Sequence, residues 1–432
     1  MTAASTTWTC SVDTSASPPR ATLAVSVDGG APTPFAIRGA CYSPCPVNGA
    51  NSYGPNLGDW FWDSYSGPGY SITGWDELWQ RDLPNLVAMG VNTVRVYNMM
   101  SRQLNPDGSY PQPWNGGHLF THANFLDACQ AAGVQVLVGI GLPQTMFWSA
   151  PPGPVAAPGE IEFWTNVLSE TAAQVGAHPA VLGFVFMNEW DAGLVTYPQP
   201  PGDPTNLDAV DYWWSQVEAL AAAVKGAAPT KLVGIAVHDD PNICGGAASW
   251  MAECPDVDFW GVNSYQTSSF ASVFGATPSG PGYDGVAGAA LKPVLLTEWG
   301  MPATTRTTPS DPSTICQTPQ SIAKAAGVVA EMLPQAYGES LCIGLCYFEY
   351  SDEWWNQGGA PNLYTWWGGS QAAGFPNGYW DQDGFGLYQT IPGAGAGGGA
   401  IWSNANNAPA TPLDKMVARA ATIAALKAVF GG

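Results

Sequence analysis

Positively charged residues are the scarcest feature of this sequence of 432 residues. Lysine and arginine together number 13, against 34 aspartates and glutamates, so the formal net charge is -21. Nucleic acids and anionic membrane surfaces repel a chain of this charge. We therefore expect neither as a partner, whereas a neutral polymer is compatible with the charge.

Long apolar runs are absent as well. No stretch approaches the roughly 20 apolar residues that a membrane-spanning helix requires, so no membrane span is expected. The N-terminal stretch MTAASTTWTC lacks the basic and apolar regions of a secretion signal. The low lysine content and several candidate disulfides nonetheless favour a secreted or periplasmic protein whose signal is absent from this chain. A cytoplasmic location and the oligomeric state stay open.

Cysteine, histidine and serine do not form the patterns of metal sites or serine hydrolases. The nine cysteines cannot all pair with one another, and loop disulfides joining Cys41 with Cys45 and Cys244 with Cys254 are as well supported as small buried thiols. The four histidines show no metal-site spacing, and no G-x-S-x-G motif occurs. We therefore expect no metal ion and no cofactor.

Aromatic residues, in contrast, are abundant, with 20 tryptophans among them. Most of these rings are assigned to the core, although tryptophans lining a groove also stack on sugar faces. Several fall within residues 351–410, which show no helical period: Trp354, Trp355, Trp366, Trp367, Trp380 and Trp402. This segment is either a lid or a disordered tail, and its aromatic density favours a packed lid.

Eight apolar segments alternate with helical patterns along the chain. The predicted strands cover 35–40, 91–97, 134–140, 181–187, 231–237, 257–262, 293–297 and 341–348. Alternation of this kind predicts an α/β fold with a parallel sheet, and eight strands predict a single closed (β/α)8 TIM barrel.

The remaining segments are assigned to the two ends of the barrel. Residues 1–34 form an N-terminal segment with a β-hairpin at the barrel bottom, and residues 35–350 form the catalytic barrel. Residues 351–432 are the Trp- and Gly-rich active-face segment and a closing helix over 413–430, in the same domain.

Two of the predicted strands end in a glutamate beside an aromatic residue. Asn188 and Glu189 follow the fourth strand, and Glu298 follows the seventh. Because the C-terminal ends of barrel strands converge, carboxyls far apart in sequence can meet there. A pair about 5 to 5.5 Å apart cleaves a glycosidic bond with retention of configuration. Glu189 fits the acid/base and Glu298 the nucleophile, with Arg95 and Tyr265 as donors to its carboxylate.

At these motifs the sequence resembles glycoside hydrolase clan A, above all the fungal β-1,3-glucanosyltransferase family and its bacterial relatives. The resemblance spans residues 37–355 and includes IRGACYSP, RDLPNLVAMGVNTVRVYN, LGFVFMNE, VHDD, DFWGVNSY, LLTEWG and CYFEYSDEWW. It implies that Glu189 is the acid/base and Glu298 the nucleophile. The predicted substrate-binding residues are Tyr42, Arg95, Tyr97, Asn188, Tyr265, Asp239, Glu349 and Trp354.

Three functions are compatible with the sequence. The favoured one is a retaining β-glycoside hydrolase or transglycosylase acting on a β-linked glucan oligo- or polysaccharide, with β-1,3 linkage preferred. The alternatives are a clan A endo-β-1,4-glucanase or mannanase, and a catalytically silent carbohydrate-binding barrel, against which the presence of both glutamates counts. His238, beside Asp239, is interpreted either as a substrate contact or as an ordinary loop histidine.

Overall fold

A closed barrel of eight parallel strands forms the centre of the molecule. The computed structural model describes residues 5–44, 50–51, 54–55, 66–67, 70–71, 75–100, 122–148, 156–191, 204–239, 251–276, 282–353, 371–391 and 415–431. Barrel strands one to eight, in chain order, are Ile37–Cys41, Thr93–Arg95, Gln135–Ile140, Val181–Phe186, Leu232–His238, Phe259–Asn263, Val294–Trp299 and Cys342–Tyr347. Strand eight pairs in parallel with strand one and closes the ring. The prediction of a single (β/α)8 TIM barrel is confirmed.

The helices lie outside the barrel and cover its strands. They are Trp75–Ala88, Ala123–Ala132, Glu160–Val175, Pro204–Ala227, Ala271–Phe274, Gly282–Ala290, Pro319–Gly338 and Ala420–Phe430. Because the strands contact side chains on both of their faces, most of their residues are apolar, and every residue of strand four is buried. Within the described ranges, no helix combines the length and apolarity needed to cross a bilayer.

Local sequence signals account for the helix ends. The helix Pro319–Gly338 begins at Thr318, whose side chain accepts the backbone N–H of Ser321, while the Ser321 hydroxyl accepts the backbone N–H of Thr318. The helix Ala123–Ala132 ends at Gly133, whose φ of 70° is left-handed and favours glycine.

A small antiparallel sheet closes the N-terminal end of the barrel. It comprises Thr6–Asp13, Arg20–Val27 and Thr33–Pro34. Trp8 and Leu23 on this sheet share one apolar cluster with residues at the beginnings of barrel strands, among them Ile37 and Leu232. The predicted hairpin at the barrel bottom is therefore present, but the strand Thr6–Asp13 was missed from the sequence.

The C-terminal segment departs from the predicted helix over 413–430. Lys415–Ala418 is a strand paired antiparallel with Tyr388–Ile391, and the helix begins only at Ala420. The buried Arg419 between them explains the break, because its backbone N–H donates to Leu387 O and its side chain to the eighth-strand loop. Residues 371–391 are packed, as predicted, whereas Trp354 and residues 392–414 lie outside the described residues.

Neither loop disulfide weighed from the sequence is present among the residues that the structure describes. Cys41 and Cys254 are buried and unpaired, and their candidate partners, Cys45 and Cys244, lie outside the described residues. The interpretation as small buried thiols therefore holds for Cys41 and Cys254.

A buried ion pair fastens the C-terminal segment to the barrel. Arg419 Nη1 and Nη2 donate to the two carboxylate oxygens of Asp352 at 2.6 and 2.9 Å, and both side chains are fully buried. Arg419 Nε also donates to Gln317 Oε1 at 2.7 Å. A bidentate pair of this kind constrains orientation as well as distance.

Replacing Arg419 should therefore destabilise the fold strongly. The substitution Arg419→Met leaves the Asp352 carboxylate buried without its cation, and we expect the free energy of unfolding to fall by about 3 to 5 kcal/mol. Urea denaturation followed by circular dichroism measures it. The matched control, Lys427→Met on the exposed side of the same helix, should change stability by less than about 0.5 kcal/mol. Equal effects of the two substitutions would contradict this role for the pair.

Candidate active site

A cavity of about 690 Å³ opens at the C-terminal ends of the barrel strands. Residues at or just beyond the ends of seven of the strands line it, and Trp380 and Gln382 of the packed segment 371–391 complete the wall. Six of the ten predicted site residues line this cavity: Tyr97, Asn188, Glu189, Asp239, Tyr265 and Glu298.

A second cavity of similar size lies at the opposite end of the barrel. It has a volume of about 750 Å³ and is lined by residues such as Phe35, Tyr337 and Glu339. Barrel enzymes place their catalytic residues at the C-terminal ends of the strands, and this cavity lies at the N-terminal ends. The first cavity is therefore the candidate active site.

Glu298, near the end of strand seven, is held by three donors. Arg95 Nη1 and the Tyr97 hydroxyl donate to Oε1 at 2.8 and 2.7 Å, and the Tyr265 hydroxyl donates to Oε2 at 2.7 Å. The residue is only 5% exposed. Both carboxylate oxygens are therefore satisfied, and the carboxylate has one orientation toward the cavity.

Arg95 lies beneath the cavity and connects several strand ends. Its side chain is 2% exposed, and Nη2 donates to Asn188 Oδ1 at 2.7 Å. Nη1 also donates to the carbonyl of Thr297 at 3.0 Å and to Asn263 Oδ1 at 3.3 Å. Substrate binding by Arg95 stays a prediction, and in the structure its guanidinium contacts residues that line the cavity.

Glu189 occupies a sharp turn at the end of strand four. Its φ of 61° and the φ of 59° at Met187 are left-handed, an uncommon conformation for residues with side chains that costs about 1 to 3 kcal/mol each. The backbone N–H of Glu189 donates to Ala236 O at 2.9 Å and pins the turn to strand five. Strained residues of this kind cluster at functional sites.

The pKa of Glu189 is raised above its usual value. Burial is the main cause and the charge of Glu298 the second, while His238 and the hydrogen bond from Asn263 oppose them. Asn263 Nδ2 donates to Glu189 Oε1 and to Asn188 Oδ1, each at 3.0 Å. Asn263 Oδ1 accepts from Arg95, so one amide links the surroundings of both glutamates.

Glu349 and Tyr42 do not reach the cavity. Glu349 is 1% exposed, and burial, followed by the charges of Glu353 and Asp352, raises its pKa well above the usual range. Tyr42 is also buried. Its hydroxyl donates at 3.0 Å to the carboxylate of Asp82, a buried residue on a helix outside the barrel. Substrate binding by Glu349 and Tyr42 stays a prediction, and Trp354 lies outside the described residues.

Glu353, four residues after Glu349 in the sequence, lines the cavity. The Ser43 hydroxyl lies between the two carboxyls, 3.4 Å from Glu349 Oε2 and 3.3 Å from Glu353 Oε1. Asp239 also lines the cavity, and its Oδ2 accepts from Ser264 at 2.6 Å and from Gln266 at 2.8 Å.

Trp380 provides an aromatic wall that was not assigned from the sequence. Its ring lies 4.6 Å from that of Tyr265 and 5.0 Å from that of Phe375, measured between centroids. Its indole N–H donates to Gln382 Oε1 at 2.7 Å. Aromatic density marked the segment in the sequence, but no local pattern distinguished this tryptophan from its neighbours.

Asn263 and Asp191 were also missed, although both lie in motifs noted in the sequence. Asn263 is two residues before Tyr265, and Asp191 is two residues after Glu189. Both pairs extend beyond their strands, which end at Asn263 and Phe186, so strand periodicity did not relate their side chains. The partners of Asn263 and Asp191 on other strands could not be inferred from the sequence.

The fold and cavity define a (β/α)8 barrel with several carboxylates around one opening. Across the residues that the structure describes, no group of three or more His, Cys, Asp or Glu side chains is arranged to hold a metal ion. No protein-family model and no curated protein matches the chain.

Solved structures similar to this chain include several glycoside hydrolases. A β-glucuronidase from Bacteroides uniformis is 17% identical over 77% of this chain and 34% of its own, with a TM-score of 0.45. An exo-β-1,4-mannosidase from Opitutaceae bacterium strain TAV5 is 16% identical over 74% and 53%, with a TM-score of 0.45. A family 1 β-glucosidase from Thermotoga maritima is 12% identical over 82% and 92%, with a TM-score of 0.47. The chain spans about a third of the length of the β-glucuronidase. Likeness at this level does not indicate a function. Functional assignment therefore depends on the site itself.

The raised pKa of Glu189 leads to a direct test. Because a neighbouring negative charge favours the protonated acid, Glu298→Gln should lower the pKa of Glu189. Carbon-13 NMR titration of the labelled glutamate carboxyls measures this change. The control Glu331→Gln, at an exposed position on an outer helix, should leave the pKa of Glu189 unchanged. An unchanged or higher pKa in Glu298→Gln would show that the two carboxyls are not coupled.

Proposed function

We propose that the protein is a retaining β-glycoside hydrolase or transglycosylase that acts on a β-linked glucan, with β-1,3 linkage favoured. Glu298 is the nucleophile and Glu189 the acid/base. The observation that carries the proposal is that two carboxyls line one cavity in contrasting surroundings, one paired with a guanidinium and one with a raised pKa. Such contrast is how two carboxyls take different roles in one reaction.

The surroundings of Glu298 suit a nucleophile. Arg95 provides a buried positive charge next to its carboxylate, and two tyrosine hydroxyls complete the contacts. A charge-assisted contact of this kind is stronger than a neutral hydrogen bond, and it fixes the position of the carboxylate that attacks the anomeric carbon. Glu298 also has no rotational freedom to lose when substrate binds, since both of its oxygens are held.

The surroundings of Glu189 suit a proton donor. Burial and the charge of Glu298 raise its pKa, which favours the protonated form that a general acid requires. In the first step Glu298 attacks the anomeric carbon, the glycosidic C–O bond breaks, and the departing oxygen takes the proton of Glu189. In the second step the Glu189 carboxylate removes a proton from water or a sugar hydroxyl, whose oxygen displaces Glu298 from the anomeric carbon.

Asn188 and Trp380 are proposed to hold the sugar. The Asn188 carbonyl oxygen accepts from Arg95 and Asn263, which leaves its amide nitrogen directed to a sugar hydroxyl. Trp380 contributes an apolar face at the cavity wall. Tyr97 and Tyr265 line the same cavity as Glu298, and this is where they would contact the sugar.

The charge of the cavity favours a neutral sugar. Asp239, Glu298 and Glu353 are all on its wall. These carboxylates would repel a substrate that carries a carboxylate of its own. This distribution supports a neutral β-glucan, and whether water or a second sugar resolves the intermediate depends on the acceptor side of the cavity.

Product analysis tests the assignment of the two glutamates. Wild type, Glu298→Gln and Glu189→Gln are incubated with β-1,3-, β-1,6-, β-1,2- and β-1,4-linked glucans and mannan, and products are identified by mass spectrometry. We expect products from one polymer in the wild type, none with Glu298→Gln, and a rate about 100- to 10,000-fold lower with Glu189→Gln. Glu331→Gln serves as the exposed control and should match the wild type.

The stereochemistry of the first product separates the mechanisms. Proton NMR during the reaction should show the β-anomer of the released sugar first, whereas an α-anomer would overturn the nucleophilic role of Glu298. Products longer than the substrate would establish transfer. Bound sugars without any product from the five polymers would replace the proposal with a silent carbohydrate-binding barrel.

A further inference from the structure

The imidazole of His238 lies between two carboxyls of the strand-four turn. Its Nε2 is 3.3 Å from Glu189 Oε2, and its Nδ1 is 3.3 Å from Asp191 Oδ1. His238 ends strand five and lines the cavity, and its side chain is 39% exposed. One ring therefore contacts the proposed acid/base on one side and a second carboxylate on the other.

Asp191 is a fixed anchor for this ring. It is fully buried, and its two oxygens accept the backbone N–H of His238 at 3.1 and 3.0 Å in addition to the contact with Nδ1. The carbonyl of His238 in turn accepts the Tyr283 hydroxyl at 3.2 Å. Backbone and ring are therefore both held, which directs Nε2 at Glu189.

We propose that His238, held by Asp191, is a positioning residue that orients the carboxyl of Glu189 and sets its affinity for the proton. This inference rests on the proposed function and deepens it, because it assigns control of the acid/base to a dyad outside the two glutamates. Neither residue of the dyad forms a bond to the substrate in this proposal.

The geometry assigns the proton positions. Since Asp191 accepts from Nδ1–H, Nε2 is the nitrogen that shares a proton with Glu189. When Glu189 has given its proton to the departing oxygen, a protonated Nε2 donates to the new carboxylate. When Glu189 regains a proton from the acceptor, that contact weakens, so the dyad favours the carboxylate that forms in the first step.

The charges that face His238 come from three of the strand ends. Glu189 and Asp191 follow strand four, Asp239 follows His238 itself, and Glu298 lies on strand seven. Burial lowers the pKa of His238, but the hydrogen bond to Asp191 and the charges of Glu189, Asp191 and Glu298 outweigh burial and raise it. The cation in turn lowers the pKa of Glu189, against the effects of burial and Glu298.

The pH dependence of kcat/KM provides the first test. Its alkaline limb reports the loss of the proton from Glu189. His238→Gln removes a positive neighbour, which raises the pKa of Glu189, so the alkaline limb should move upward by about one pH unit or more. Asp191→Asn deprives the ring of its anchor, but the charge of Asp191 by itself raises the pKa of Glu189, so the limb should move in the same direction by a smaller amount. The double substitution should shift it no further than His238→Gln alone.

The dependence on the leaving group provides the second test. Two aryl glycosides are prepared with the sugar that the wild type releases from its polymer, one with 2,4-dinitrophenol and one with 4-methylumbelliferone. The first is the stronger acid and leaves readily without a proton, whereas the second is the weaker acid and gains more from protonation as it departs. His238→Ala should therefore slow release of 4-methylumbelliferone about 10- to 100-fold more than release of dinitrophenol, because it removes the orientation of the acid.

A matched control separates positioning from general stability. His178 also pairs with a carboxylate, Asp127 Oδ1 at 3.1 Å, but lies away from the cavity. His178→Gln should therefore leave both the alkaline limb and the leaving-group ratio at wild-type values. Thermal unfolding of each variant verifies that it is folded, and Asp191→Asn tests the proposal independently if His238→Gln does not fold.

The outcomes of the two proposals can be told apart. One result would overturn the positioning role alone. In it, His238→Ala loses the same activity on both aryl glycosides, and the alkaline limb does not move in His238→Gln or Asp191→Asn. A wild type that cleaves no polymer, or full activity in Glu189→Gln, would overturn the proposed function itself. A selective loss on 4-methylumbelliferone with an upward shift of the limb supports both.

Discussion

The buried ion pair between Arg95 and Glu298 is the interaction on which the rest of the site depends. A charge removed from water must be paired and hydrogen-bonded, and both side chains are almost completely buried. The remaining donors of the guanidinium therefore require acceptors, which are provided by Asn188, Asn263 and the carbonyl of Thr297. One cation thus aligns polar groups from the ends of strands two, four, six and seven.

The two glutamates differ because the barrel places them at different depths. Glu298 is 5% exposed and touches Arg95, whereas the side chain of Glu189 is 31% exposed and projects from a left-handed turn. The turn brings Glu189 against His238 and Asn263, which belong to the next two strands of the barrel. Contrast between the carboxyls therefore follows from the positions of the strand ends, and it is the physical basis of the proposed division of roles.

The packed segment 371–391 and the C-terminal strand show how strongly tertiary contacts can override local pattern. Lys415–Ala418 lies in a stretch with helical periodicity, yet it pairs with Tyr388–Ile391. The bidentate contact of Arg419 with Asp352 holds this arrangement against the barrel. A helix continuing through Arg419 would give up that pairing, and the buried carboxylate of Asp352 would lose its cation.

The barrel itself could be predicted from the sequence, because apolar strands alternating with amphipathic helices are a local property of the chain. The same reasoning placed Glu189 and Glu298 at strand ends. It could not show that the hydroxyl of Tyr42 contacts Asp82 or that Glu353, and not Glu349, lines the cavity. Nor could it show that His238 contacts both Glu189 and Asp191. These contacts join residues on different elements, so only the register and closure of the barrel decided which polar groups meet.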